Sequence, residues 1–258
     1  MKNINDILVN FNSIGLNEME DVALMERTDN KFILKKSQLI DILEILNQNY
    51  SCLTIENEKI FKYCTEYLDD EKFILFNNHH NGKLNRYKIR FRDYVQSEIT
   101  FLEIKFKSNK GITKKTRVKI PFQYRLNAEE CHEFIQKQTP YNILNFSTSL
   151  ANNFDRITLV SLSSKERVTI DFNLKFFLNK KTKKLDDICI IEVKKEKGNR
   201  TSEILSLLKK RNIRPNRISK YTIGSVLLNP MLKHNNFKKK LLLINKLSEN
   251  GNVWNSTF

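Results

Sequence analysis

RYKIRFR, residues 86–92, carries a basic side chain at every second position: Arg86, Lys88, Arg90 and Arg92, with Tyr87, Ile89 and Phe91 between them. Successive side chains of a strand point to opposite faces, so a strand here gathers four cations on one face and three large apolar groups on the other. A helix would scatter both sets around its axis. The apolar face asks for a core, and the cationic face asks for water or for an anion.

The rule recurs along the chain. FLEIKFK (101–107) sets Glu103, Lys105 and Lys107 against Leu102, Ile104 and Phe106. KTRVKI (115–120) sets Lys115, Arg117 and Lys119 against Thr116, Val118 and Ile120. RVTIDFNLKF (167–176) sets Arg167, Thr169, Asp171, Asn173 and Lys175 against Val168, Ile170, Phe172, Leu174 and Phe176. IIEVK (190–194) puts Glu192 and Lys194 opposite Ile191 and Val193. One such strand is an ordinary half-exposed sheet. Five leave two arrangements: an open sheet with a solvated, self-repelling wall, or a closed barrel with the charges inside.

Helical patterns flank these strands. Residues 3–25 read as helical with a break near Gly15. Ser37 is placed to cap a helix with Leu39, Ile40, Leu43 and Leu46 on one face, and Asn127 with Glu130 resembles a capping box ahead of a helix stopped by Pro140. Thr201 or Ser202 caps EILSLLKKRN, and residues 219–228 and 236–247 are closing helices. Residues 59–68 and 72–77 read as strands before a turn at HHNGK. Amphipathic helices need an apolar surface to cover, and the outer wall of a barrel supplies one. The expected fold is therefore α+β: a closed antiparallel β-barrel tunnel of about eight strands with flanking helices packed outside.

The chain has 258 residues, net charge +16 and an isoelectric point near 9.6. Its hydrophobic fraction of 40% is too high for a disordered polycation, and the charge favours anionic partners. No repeat or Pro/Gly/Ser linker divides it, so one domain is expected over 1–258, with a core at about 22–230 and helical extensions. Cys52, Cys64, Cys131 and Cys189 form no CxxC, a pattern of reduced thiols rather than a zinc site. MKNINDILVNFNS lacks the apolar run of an export signal, and LLLI (241–244) is too short to span a bilayer. A cytoplasmic protein without a transmembrane segment is expected.

The six glycines form neither GxxxxGK nor GxGxxG, so any phosphate must be gripped by side chains, for which guanidinium groups are suited. Facing rows of cations match a linear polyanion such as a triphosphate or polyphosphate. The acids among them, Glu103, Asp171 and above all Glu192, suit a hard divalent ion that bridges phosphates, although a salt bridge to Lys194 or another cation accounts for Glu192 equally well. Nucleic acid is the rival polyanion. Single-strand binders interleave cations with stacking rings, whereas Tyr87, Phe91, Phe106, Phe172 and Phe176 fall out of phase here and only Phe101 is in phase. Phosphate recognition without base recognition is expected. No Ser or Cys sits in a nucleophile motif, and His79 and His80 read as part of a solvated turn.

RTDNKF (27–32), YCTEYLDD (63–70), HHNGKLNRYKIRFRDY (79–94), FLEIKFK (101–107), KKTR (114–117), RVTIDFN (167–173), IIEVK (190–194) and SKY (219–221) together resemble the ordered motifs of the VTC domain. This is the polyphosphate polymerase domain of the CYTH-like triphosphate tunnel metalloenzymes. The resemblance spans about residues 22–230 and implies a tunnel that holds ATP, triphosphate or a growing polyphosphate chain, assisted by Mn²⁺ or Mg²⁺. Carried over by position, it implies that Arg90, Arg92, Lys194 and Lys220 stabilise the transferring phosphoryl group. Lys31, Lys88, Lys105, Arg117, Arg156, Arg167, Ser219 and Tyr221 would hold substrate, and Glu192, with Glu103 and Asp171, the metal. Asp29 stands where the family has Glu, one methylene shorter. The resemblance implies a polyphosphate polymerase. A triphosphatase uses the same site with water as nucleophile, and a non-catalytic polyphosphate or nucleic-acid binder is the third reading.

Overall fold

Residues Arg86–Tyr94 run extended and bury Ile89 and Phe91, each 1% exposed, on one side. The computed structural model describes residues 3–19, 27–122, 129–198, 201–249, 251 and 253–254. In chain order they form α1 (Ile4–Leu8), β1 (Ser13–Ile14), β2 (Arg27–Lys35), α2 (Leu39–Leu46), β3 (Ser51–Leu53), β4 (Phe61–Asp70), α3 (Ile74–His80), β5 (Arg86–Tyr94), β6 (Ile99–Lys107), β7 (Thr113–Ile120), α4 (Glu129–Gln138), β8 (Phe146–Ser161), β9 (Glu166–Leu178), β10 (Lys181–Leu185), β11 (Ile188–Glu196), α5 (Glu203–Lys210), α6 (Lys220–Leu228) and α7 (Lys238–Leu247).

Eight strands follow one antiparallel path, β2-β11-β9-β8-β4-β5-β6-β7, with β10 added to β9, and with β3 beside β8 and β1. The path curls enough that Lys31 of β2 acts electrostatically on Lys88 of β5 and Lys105 of β6. Among the described residues no backbone ladder joins β2 to β7, so the curled sheet is not closed by hydrogen-bonded strands. No helix among the described residues is long and apolar enough to cross a membrane.

Two apolar layers coat the outer wall. α1, α2 and α5 cover Phe32, Leu34, Ile157, Leu159, Val168, Ile170 and Ile191. α4 places Cys131 and Ile135 on Ile89, Phe91, Leu102 and Ile104. α6 does not lie outside. Its Tyr221, Ile223 and Val226 pack with Ile33, Leu150, Leu174, Phe176 and Ile190. Ile33 and Ile190 are cross-strand partners two residues from the pair Lys31–Glu192, and so share the inner face with it. One end of the tunnel is thus filled by a helix. Gly224 makes this possible, since a Cβ there would meet Phe176 Cδ1 at 2.3 Å and Leu150 Cδ2 at 2.8 Å.

Several sequence expectations change. EKFILF (72–77) is not a strand, because Asp69 and Asp70 carboxylates accept the Ile74, Leu75 and Phe76 amides and start α3 there. His79 and His80 consequently end a helix and pack on Phe237 rather than lying in a solvated turn. Ser37 is inside a short 3₁₀ turn, Lys36–Gln38, rather than capping α2. Among the described residues of the 3–25 stretch the helix is Ile4–Leu8; residues 20–26 lie outside the described residues, as does the expected cap Asn127. Ser202 caps α5 as expected, its side chain accepting from Leu205 N. On β9 the alternation breaks at Asn173, whose φ is 52°, opposite a register shift in β8. Phe172 therefore faces the outer layer, and Leu174 and Phe176 face inward where Asn173 and Lys175 were expected.

Candidate active site

The inner faces of β5, β6, β7, β9, β11 and β2 converge. Cross-strand register places Lys88 beside Lys105, Arg90 beside Glu103, Glu103 beside Arg117, Glu192 beside Lys31 and Lys194 beside Arg167. Arg156 of β8 sits opposite Asp171 of β9. Lys220 and Ser219, at the start of α6, complete the wall from the plugged end, with Ser219 Oγ accepting from Lys88 Nζ at 2.9 Å.

Each carboxylate already has cationic company. Arg156 donates from Nε and Nη2 to the two oxygens of Asp171 at 2.5 and 2.8 Å, and Lys220 Nζ donates to Asp171 Oδ2. Arg90 donates through Nε and Nη2 to Glu103 Oε2 at 2.8 and 2.6 Å, while Lys115 pairs with the other oxygen. Burial alone would raise these carboxyl pKa values, but the adjacent cations hold both well below the usual range. Glu192 differs. Lys31 and Lys194 stand 3.7 Å away, beyond hydrogen-bond contact, and against the effect of burial they and Arg156 hold the carboxyl at about 2. Its oxygens stay ionised and open.

A hard divalent ion takes oxygen ligands and is commonly held by one or two carboxylates plus substrate phosphates. Glu192 fits that role. Among the described residues no group of three His, Cys, Asp or Glu gathers around one point, and Glu103 and Asp171 are committed to cations on other strands.

The cations crowd one another. Burial, then Lys31, lowers Lys105 to about 8; burial lowers Lys220 to about 8 against the pull of Asp171; burial and the neighbouring lysines push Lys88 down. Lys105 has no hydrogen-bond or ion-pair partner among the described residues. Arg92, 7% exposed, leaves its Nε without an acceptor, and burial and Arg90 lower its pKa. Beside it in register, Thr65 Oγ1 and both amide atoms of the fully buried Asn152 are also unpartnered. Polar atoms so placed call for water or an anion.

Not every expected residue points into the lumen. Tyr221 is 1% exposed and donates to buried Asp69, stacking on Tyr67 at 4.9 Å, so its hydroxyl positions α6. Arg117 is exposed and lies 4.4 Å over the Phe101 ring. Sequence reading put Lys115 on a charged face but gave it no place in the site, and it missed the aromatic part of the wall. Tyr63 and Phe154 are stacked at 5.3 Å on the inner face, beneath Arg92, Arg156 and Lys220, and Tyr94 contacts both Tyr63 and Phe101. Of the rings expected to point away from the cations, Tyr87, Phe91, Phe106 and Phe172 do so, whereas Phe176 turns inward beyond the break at Asn173, and Tyr63, Tyr67 and Phe154 add rings to the inner face.

A curled antiparallel sheet with cations and isolated carboxylates on its inner face is the architecture of a triphosphate tunnel enzyme. The VTC domain family model matches residues 26–229, and the chain belongs to that family. No curated protein matches the sequence. Among solved structures, an adenylyl cyclase-like protein from Hippeastrum, described as having a dominant triphosphatase activity, superposes with a TM-score of 0.51 at 14% identity, covering 78% of this chain and 95% of that one. A Bacillus halodurans protein described as an adenylate cyclase gives 0.48 at 13% identity, covering 76% and 96%. A conserved Pyrococcus furiosus protein gives 0.41 at 12% identity, covering 74% and 96%.

Proposed function

We propose that this chain is a polyphosphate polymerase that transfers the γ-phosphate of ATP to the end of an inorganic polyphosphate chain. What carries the reading is the wall itself: Lys31, Lys88, Arg92, Lys105 and Lys194 face one lumen, Glu192 stands among them with its cations 3.7 Å away, and no nucleophile is among these residues. Membership of the VTC family supports the polymerase.

Phosphoryl transfer proceeds through a loose transition state, so fixed charge and alignment supply most of the rate. A terminal oxygen of the growing chain attacks the γ-phosphorus, the bond to the bridging oxygen breaks, and ADP leaves with that electron pair. Lys88 and Lys105 hold the incoming chain. Arg92, with Nε unpartnered, and Lys194 neutralise charge on the transferring group, while Arg90, Arg156 and Lys220 keep the field fixed through Glu103 and Asp171. Lys31 and Arg167 extend the cationic path, and Ser219 orients Lys88. Glu192 would hold Mn²⁺ or Mg²⁺, which would supply neutralisation of phosphate charge. The same wall with water as nucleophile would make a triphosphatase.

Incubation of the purified protein with ATP and Mn²⁺, followed by phosphorus NMR, tests the proposal. Chain-interior phosphate resonances are the expected outcome. Orthophosphate as the sole product would replace polymerase with hydrolase, and no turnover together with tight polyphosphate binding would leave a receptor.

A further inference from the structure

We infer that the end of the tunnel away from α6 carries a stacking ledge for a nucleobase, built from Phe101, Arg117 and Tyr94. The inference rests on the tunnel reading above and names the part of the substrate that reading leaves unassigned.

Three observations converge. Phe101 is the residue of β6 opposite Arg92, so its ring stands on the lumen face beside a phosphate-facing cation. The Arg117 guanidinium lies 4.4 Å from the ring centroid, and Tyr94 meets the same ring edge-on at 5.8 Å. Arg117 is exposed, and Phe101 and Tyr94 are half-buried, so these flat surfaces are reachable, unlike Tyr63 and Phe154 deeper in the wall. A guanidinium plane and an aromatic ring at a tunnel end present the faces on which any base stacks.

The spacing fits a nucleotide. Phe101 and Lys105 share one face of β6 four residues apart, about 13 Å along the strand. That is the reach of a sugar and a short phosphate chain. Between them sits Glu103, bound to Arg90 and Lys115, at the level where the sugar passes. The phosphates then run past Arg92 toward the chain end held by Lys88 and Lys105, and the base stays at the rim. Stacking alone does not distinguish bases, so ATP and GTP gain alike, and inorganic tripolyphosphate, which has no base, gains nothing.

The test compares dissociation constants of ATP, GTP and tripolyphosphate for the wild type, Phe101→Ala, Phe101→Trp and Arg117→Lys. Phe101→Ala should weaken ATP and GTP equally, by about tenfold, and leave tripolyphosphate unchanged. Phe101→Trp keeps a stacking face and should keep ATP affinity, which also covers the case in which the alanine variant does not fold. Arg117→Lys keeps the charge and removes the plane, so it too should cost the nucleotides alone. Parallel loss of ATP and tripolyphosphate in Phe101→Ala, or no loss of either, overturns the ledge and leaves the tunnel intact. Wild-type protein that binds none of the three ligands overturns the tunnel reading itself.

Discussion

Asp171→Asn removes one charge from a site where the structure makes the consequence calculable. The carboxylate is 3% exposed and accepts two bonds from Arg156 and one from Lys220, whose side chains are themselves only 15% and 12% exposed. Breaking a buried ion pair from one side strands the other charges and costs about 3–5 kcal/mol. Asparagine keeps the volume, and its Oδ1 still accepts one bond, so the expected loss lies at the lower end, about 3 kcal/mol. For a chain of this length that lowers the melting temperature by about 6–12 °C. Stability and binding should move in opposite directions, because Asp171 competes with phosphate for the same two cations. Tripolyphosphate should bind the variant more tightly than the wild type, and a ligand concentration near 100 times its dissociation constant should return about 2.7 kcal/mol. Urea unfolding with and without tripolyphosphate measures both quantities. A stability loss below about 1 kcal/mol, or a loss accompanied by weaker binding, would refute the account of Asp171 as an internal counter-ion to Arg156 and Lys220.

Glu192→Gln should abolish stimulation by Mn²⁺ or Mg²⁺ while tripolyphosphate binding without metal stays equal or tightens, since a repelling charge is gone; unchanged metal stimulation in the variant would dismiss Glu192 as the holder. Lys105 and Lys220 have folded pKa values of about 8, below the ordinary lysine value, so both are charged in the free protein below pH 8 and lose charge above it. Tripolyphosphate affinity should therefore fall as pH rises through 8. The free protein should instead gain stability from these groups between about pH 8 and 10.5, where the unfolded chain still binds the protons; calorimetric titration and urea midpoints across that range read the two opposite slopes. Gly224→Ala should destabilise by about 1–3 kcal/mol, because the added methyl group overlaps Phe176 and Leu150, and a thermal melt equal to wild type would show that α6 does not plug the tunnel as tightly as described.

Alternation in β5, β6, β7 and β11 was legible in the sequence, because a regular strand assigns each residue to a face by parity alone. That parity placed Lys88, Arg90, Arg92, Lys105, Glu192 and Lys194 together on charged faces, and the absence of glycine-rich loops already required side chains to do any phosphate binding. Parity fails where the backbone leaves the regular strand. A positive φ at Asn173 reverses the faces of β9, and two aspartate carboxylates at the end of β4 turn a strand-like EKFILF into α3. Only the tertiary structure decided which charges neutralise which: that Asp171 is committed to Arg156 and Lys220, Glu103 to Arg90 and Lys115, and that Glu192 is left loosely paired. It also decided that α6 fills the inside of the curl and that Tyr63, Tyr94 and Phe154 face inward. These are contacts between strands and helices distant in sequence. Their distances depend on the curl of the sheet and the register of its neighbours, which no local pattern encodes.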